Sequence, residues 1–388
     1  TRVGAARGGQ LRMRSVGGEK RIAPMAWAPW PAPPCAGGGP RVAALGGGTG
    51  LPIVLRGLKS FLPAADGSPG GRRDAGRLTA IVTVADDGGS SGRLRRAYGL
   101  PPPGDLRNCL VALADGDRAI ASLFSFRFNG RGERGLTGHS LGNLLIAALS
   151  DIEGDFLGAL DRAATLLRAR GRVLPVSLQP LTLYATFADG RTRAGESRIT
   201  AARGTIRRVA LRPAAAVALP QAVAALRRAD LIVLGPGSLY TSLIPVLLVP
   251  GIAAAVARSG ARVVLVLNAM SEPGETDGHT AADFVRALRR HSPGLRIDDV
   301  LINTAPIPAA VLRRYAAAGA RPIPAAPRAL AGLGCRVAWR DLLGAGAVVR
   351  HDPDRLAAAL LDLAATARPP GSGRRAARLR EQEGAPCR

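Results

Sequence analysis

The chain has 388 residues, 47 % hydrophobic and 21 % charged, close to a globular average, which excludes wholesale disorder and fibrous classes. Formal net charge is +25, from 53 Lys and Arg against 28 Asp and Glu, a balance that first suggests nucleic acid or an anionic membrane surface. That reading weakens because all cations but Lys20 and Lys59 are arginine, nine of the excess charges fall in residues 1–40 and 368–388, and aromatic residues for base stacking are only 4 %.

Residues 1–40 are rich in Gly, Pro and Arg and read as a disordered basic tail, with Met13 and Met25 as candidate starts and no apolar core of a secretory signal. At Arg41 the texture changes. Val42 to Leu45 is a short apolar run ending in Gly46-Gly47-Gly48-Thr49-Gly50, and Leu51, Val54, Leu55 and Leu58 then recur at helical spacing. After a polar loop at 63–77, Leu78 to Ala85 returns as a strand. This βαβ unit places the glycine turn beside Asp86 and Asp87 at the C-terminal edge of a parallel sheet.

Helical patterns follow at 105–114, 119–126, 140–152 and 154–170. From 173 to 212 the chain reads as short strands, the clearest being 181–187 and 206–211. From Pro220 the α/β alternation resumes, with strands at 231–234, 263–268 and 300–303 and helices at 220–229, 281–290, 308–318 and 353–367. The uncharged stretch Leu231 to Ala257 is long enough to span a bilayer, but three prolines and three glycines break it, so it reads as core strand, loop and helix. The four cysteines are widely separated, without the spacing of a zinc site or a disulfide framework.

The expected fold class is therefore α/β: a Rossmann-like parallel sheet with helices on both faces and a smaller β-rich insertion. The organisation predicted is tail 1–40, first part of the α/β domain 41–172, insertion 173–219, second part 220–367 and tail 368–388.

Several clusters carry chemistry. The turn Gly46 to Gly50 closes a strand and opens a helix, so its amides suit a diphosphate, although it lacks the third glycine of the dinucleotide pattern and the lysine of a P-loop. Adjacent Asp86 and Asp87 suit a ribose or a Mg²⁺ ion held on a phosphate. Gly88 to Gly92 is read as a flexible small-residue loop, and Arg93, Arg95 and Arg96 follow it. Asp105 is expected to cap the helix that carries Arg107 and Asn108. His139 stands at another helix start as a hydrogen-bonding residue or a base. A second glycine turn, Gly235-Pro236-Gly237-Ser238, follows the strand 231–234, and Gly274 to His279 forms a polar turn on the same edge. No nucleophile elbow, Cys/His pair or metal-spaced histidine cluster is present in the sequence.

Read in order, GGGTGL, VTVADDGGSSGRLR, PPPGDLRNCLVAL, LTGHSLGNLLIAAL, GRVLPVS, ADLIVLGPGSLYTSLIPVLLVPGI and GETDG resemble the bacterial YvcK-type gluconeogenesis factor family, a sister of the 2-phospho-L-lactate transferase of coenzyme F420 synthesis. The blocks run from Arg41 to about His279, with weaker similarity to about residue 365. The resemblance implies a cytoplasmic regulator that binds UDP-sugars such as UDP-N-acetylglucosamine and supports cell shape and peptidoglycan synthesis on gluconeogenic carbon, with no enzymatic activity. Carried over residue by residue, it places nucleotide-sugar contacts at Gly47, Gly48, Thr49, Gly50, Leu51, Asp86, Asp87, Ser90, Arg107, Asn108, His139, Asn143, Gly237, Ser238 and Asn268. His279, where many relatives carry Tyr, and Arg314 complete the set, and Asp86 and Asp87 are the seat for Mg²⁺. The partners expected are the UDP-sugar, cell-wall synthesis proteins and a second copy in a homo-oligomer, with neither nucleic acid nor a membrane span and with no obligatory cofactor. The enzyme alternative is a transferase-like relative that moves a phosphate-linked group with Mg²⁺ on the acid pair.

Overall fold

The computed structural model describes residues 39–62, 77–130 and 135–366. Apart from Gly39 and Pro40, the tails expected at 1–40 and 368–388 lie outside the described residues.

Among the described residues ten strands form two sheets: β1 (Val42–Gly46), β2 (Leu78–Val82), β3 (Arg172–Pro175), β4 (Thr182–Phe187), β5 (Thr192–Ala194), β6 (Ile206–Arg212), β7 (Leu231–Leu234), β8 (Arg262–Val266), β9 (Asp299–Asn303) and β10 (Arg336–Arg340). Seven of them make one parallel sheet in the order β10-β9-β8-β7-β1-β2-β3. Strands β1, β2, β7 and β8 are buried along their whole length, as continuous apolar runs covered on both faces by helices require. Apolar burial is therefore what selects the short strands that the sequence shows.

The chain runs outward from β1 through β2 to β3, then returns to the other side of β1 and continues from β7 to β10. The reversal between β1 and β7 is a topological switch point, where strands diverge in connection and leave a crevice at their carboxyl ends. Both glycine turns open there, since β1 pairs with β7 from Val42↔Leu231 to Leu45↔Leu234.

Helix α1 (Gly50–Phe61) follows β1 and packs on the C-terminal helix Pro353–Ala365. Gly57 makes that contact possible, because a Cβ there would lie 1.9 Å from the Pro353 carbonyl oxygen. Helices α2 (Gly89–Tyr98), α3 (Gly104–Leu113), α4 (Arg118–Ser125) and α5 (Leu141–Glu153) come between β2 and β3. The small-residue run Gly88 to Gly92 is thus the first turn of α2 rather than a flexible loop: the Gly92 amide donates to the Gly88 carbonyl at 2.9 Å. The missing side chain at Gly92 serves packing, since a Cβ would meet the Asp87 carbonyl oxygen at 1.9 Å.

The β-rich insertion is narrower than residues 173–219. Val173 to Pro175 belong to β3 and pair with β2 in the main sheet, while the small antiparallel sheet β5-β4-β6 spans Thr182 to Arg212 and includes an unexpected helix at Glu196–Ala202. Strand β10 also carries no clear sequence signal, with an alternating, half-exposed pattern at the sheet edge.

Among the described residues no single helix is long and apolar enough to cross a membrane. One bent pair, Leu239–Leu248 with Ile252–Arg258 at 78°, passes by length and composition only. Its Leu239, Leu243, Ile244, Val246 and Ile252 are buried in the core between sheet and neighbouring helices.

Candidate functional site

The two glycine turns touch. A Cβ at Gly50 would lie 2.0 Å from the Pro236 carbonyl oxygen and 2.9 Å from the Gly237 nitrogen, so only glycine lets α1 start against the second turn. Gly48, at φ +61°, and Gly237, at φ +136°, adopt backbone that other residues rarely enter. The first turn of α1 leaves backbone amides free at the crevice, and no side chain caps them. Thr49 is exposed above it. Leu51 is fully buried and packs toward Gly46 and Gly235, so its side chain belongs to the core and only its backbone borders the cleft.

Each turn is braced by a side chain from elsewhere. Asp105 does not cap its own helix: α3 begins after Pro103 without a side-chain cap, and Asp105 Oδ2 instead accepts the Gly48 amide at 2.7 Å. Burial pushes its carboxyl up to about 6 against the pull of that hydrogen bond. Asn268, just beyond β8, holds the second turn from both sides, accepting the Gly237 amide at 2.9 Å and donating to the Gly237 carbonyl at 2.8 Å. Asn268 is therefore a positioning residue for the turn.

Beyond Gly237, Ser238 leads into a π-helical turn, Leu239–Leu243, in which the Leu243 amide donates to the Ser238 carbonyl at 3.0 Å. Glu275 satisfies the next amides, accepting from Tyr240 at 2.6 Å and Thr241 at 3.0 Å. Burial, with the neighbouring Glu272 carboxylate, pushes Glu275 up to about 8. His279 meets the same loop, its Nε2 lying 3.3 Å from the Tyr240 hydroxyl with the rings edge to face.

The acid pair is divided between two tasks. Asp86 accepts the Gly88 amide at 2.8 Å, and burial followed by the like charge of Asp87 raises its carboxyl against the pull of Gly88, Ser91 and Arg95. Asp87 Oδ1 accepts the Ser197 amide at 3.0 Å, and a Cβ on Gly195 would lie 1.9 Å from its Oδ2. Asp87 thereby docks the insertion beside the cleft. On the far side Arg203 of the insertion packs on Gly274, and the Val209 amide donates to His291 Nε2 at 3.0 Å. Glu196, at the start of the insertion helix, is pushed well above the carboxylate range by burial and then by Asp86, Asp105, Glu275 and Asp87, and its Oε2 has no hydrogen-bond partner. Among the described residues no group of three or more His, Cys, Asp or Glu is arranged to hold a metal ion. A divalent ion here would take one or two carboxylates and draw its remaining ligands from phosphate and water.

Ser90, His139 and Arg107 line an inner wall made by α2, α3 and α5. Ser90 Oγ accepts the Ser140 amide at 3.3 Å and shares a second hydrogen bond, at 3.0 Å, with His139 Nδ1. Burial, then the positive charge of Arg93, lowers the pKa of that histidine. Arg107 bonds Ser140 Oγ and, at 2.5 Å, Asn108 Oδ1; burial lowers it to about 10, and its Nε is unpartnered. Asn143 is buried with its Oδ1 unpartnered.

The arginines next to the acid motif do not converge on the turns. Arg93 donates to the Thr137 carbonyl at 2.8 Å, Arg95 to Thr182 Oγ1 at 3.2 Å, and Arg96 is exposed. Arg314 is exposed on the helix Ala309–Ala317 with its guanidinium 5.8 Å from the Tyr315 ring, and no described contact joins it to either turn. Two bracing roles escaped sequence reading, those of Asp105 and Glu275, because each acts on backbone far away in the chain. The only local signal was the presence of Glu275 in the polar turn after β8.

A doubly wound parallel sheet with two glycine turns at its switch point defines an α/β protein of Rossmann-like architecture. The sequence profile described as 2-phospho-L-lactate transferase CofD matches residues 42–343. The gluconeogenesis factor of Bacillus subtilis is 44 % identical over 325 residues, covering 84 % of this chain and 98 % of the relative. That of Listeria monocytogenes is 40 % identical over 323 residues, covering 83 % and 95 %. A crystal structure of a Bacillus halodurans protein superposes with a TM-score of 0.77 at 43 % identity, covering 83 % of this chain and 99 % of the other. The chain belongs to the CofD family, in its gluconeogenesis factor branch.

Proposed function

We propose that the cleft binds a nucleotide sugar, UDP-N-acetylglucosamine being the leading candidate, and that the protein is a cytoplasmic regulator of cell shape and peptidoglycan synthesis during gluconeogenic growth. The observation that carries this reading is the approach of Gly50 to Pro236 and Gly237, which joins two amide-bearing turns into one cradle. A diphosphate fits such a cradle because free amides at a helix start favour negative charge. Asp86 then lies where a ribose hydroxyl is held, and the flat ring of His279, backed by Tyr240, offers a surface to a base or sugar. Cell-wall synthesis proteins are the partners through which a binder would act.

Isothermal titration with UDP-N-acetylglucosamine tests it. Binding below millimolar concentration, weakened at least tenfold in Asn268→Ala, is expected; absence of heat at millimolar ligand overturns it. The second reading, a transferase that uses Mg²⁺ on Asp86, draws on the family profile and on the buried carboxyl beside Arg95. Turnover of F420 precursors, lost in Asp86→Asn, would place it first.

A further inference from the structure

The helix Pro220–Arg228 carries the chain from the insertion back to β7, so its last turn lies at the edge of the sheet opposite the glycine turns. An open groove of about 890 Å³ runs along it, floored by Val217, Val223, Ala224 and Pro250 and rimmed by Arg227 and Arg228. Val217 is 64 % exposed within the apolar run Ala214 to Pro220, so the groove presents apolar surface to solvent. No described acidic side chain pairs with either arginine: the nearest in the chain, Asp230, is taken by Arg41 at 3.7 Å. A smaller recess shares Arg228 and is lined also by Arg172, which extends the positive rim toward β3, and by Arg41, which is paired with Asp230.

We infer that this groove is the docking site for an acidic amphipathic helix of a partner protein. An apolar floor with unpaired guanidinium groups along one edge matches a helix that presents apolar residues at i, i+3, i+4 and i+7 flanked by Asp or Glu. Charge selects this occupant. A second copy of a chain with net charge +25 meets the arginines with like charge, and residues 1–40 bring six cations against one anion. The groove is open along its length rather than enclosed, which suits a polypeptide over a small amphiphile. Its Arg227 and Arg228 end lies at the amino ends of the strands, its Val217 end lies beside the carboxyl end of β3, where the Leu219 amide donates to the Val176 carbonyl, and none of its lining residues belongs to the glycine turns.

The test uses the full chain and two labelled helical peptides of about 18 residues with the same leucine stripe, one flanked by Glu and one by Lys, followed by fluorescence anisotropy. The Glu peptide is expected to bind at least tenfold more tightly than its Lys twin, with affinity falling as salt rises. Arg227→Glu with Arg228→Glu should reverse the preference, and Val217→Asp should weaken both peptides tenfold with an unchanged melting temperature and unchanged UDP-N-acetylglucosamine titration. Equal affinity of the twins, no binding at 0.5 mM peptide as an order-of-magnitude ceiling for a specific site, or indifference to the charge reversal overturns the inference. So does a drop in particle mass by light scattering in Val217→Asp, which would assign the groove to a second copy.

Discussion

The carboxylate of Asp105 holds the amide of Gly48 at 2.7 Å, so the first glycine turn is fixed by a residue 57 positions further along the chain. A carboxylate in a turn that suits an anion sets the pH behaviour of the cleft. Burial raises Asp105 in the folded protein from 3.8 to about 6, so the folded state holds its proton more tightly than the unfolded state. The stability this gives is complete below pH 3.8 and is lost as pH rises through about 6. At neutral pH the ionised carboxylate costs about 3 kcal/mol.

Asp105→Asn removes the charge while an amide oxygen remains to accept from Gly48. Denaturant unfolding at pH 4.5 and pH 7.5 is expected to show wild type less stable at the higher pH from this residue, and the variant with that difference reduced by about 1–3 kcal/mol. A variant with the wild-type pH dependence would show that Asp105 is not the titrating group.

Gly50 and Gly57 stand on one helix and separate site from scaffold. Gly50→Ala drives a methyl group into the Pro236 carbonyl, and Gly57→Ala drives one into the Pro353 carbonyl. Each overpacks a backbone contact and is expected to cost about 1–3 kcal/mol. Only Gly50→Ala should also weaken nucleotide-sugar binding more than tenfold under conditions where both variants are folded, as read by titration calorimetry.

Glu275 is raised from 4.5 to about 8, so its contribution to stability is present below 4.5 and lost as pH rises through 8. Glu275→Gln keeps an acceptor for the Tyr240 and Thr241 amides and should flatten unfolding stability between pH 6 and pH 9. Glu275→Ala leaves two buried amides without an acceptor and is expected to lose about 2–5 kcal/mol, seen as a lower melting temperature at every pH.

Arg262 and Asp299 join β8 to β9 through two hydrogen bonds, at 2.7 and 3.1 Å, with both side chains almost fully buried. Arg262 also donates to the Leu363 carbonyl at the end of the C-terminal helix. Arg336 also meets Asp299, at 3.0 Å, so Arg262→Met leaves that buried carboxylate one partner instead of two and should fall at the low end of the about 3–5 kcal/mol that breaking a buried pair costs, read by chemical denaturation. The double variant Arg262→Met with Asp299→Leu should recover part of that loss.

The strands show what was legible. Leu231–Leu234 occurs where the apolar run between Asp230 and Gly235 puts it, and the helix Ala281–His291 matches the pattern at 281–290, its start fixed in the structure by a capping box of Thr280 with Asp283. The run from Gly88 to Gly92 was misread because small residues look alike in a loop and in a helix pressed against a carbonyl. Arg93, Arg95 and Arg96 sit close to the acid pair in sequence, yet they leave α2 in different directions. Leu51 likewise matches a binding motif while its side chain fills the core.

The sequence by itself determined the α/β class, the order of the main elements and the two glycine turns, because apolar periodicity and glycine act within a few residues. Only the tertiary structure decided that Asp105 holds Gly48, that Asn268 holds Gly237, that Asp87 docks the insertion through Ser197, and that Arg227 and Arg228 are left facing an apolar groove. Those relationships pair residues tens of positions apart, and whether a carboxylate caps its own helix or a distant turn depends on which backbone the folded sheet brings within about 3 Å of it.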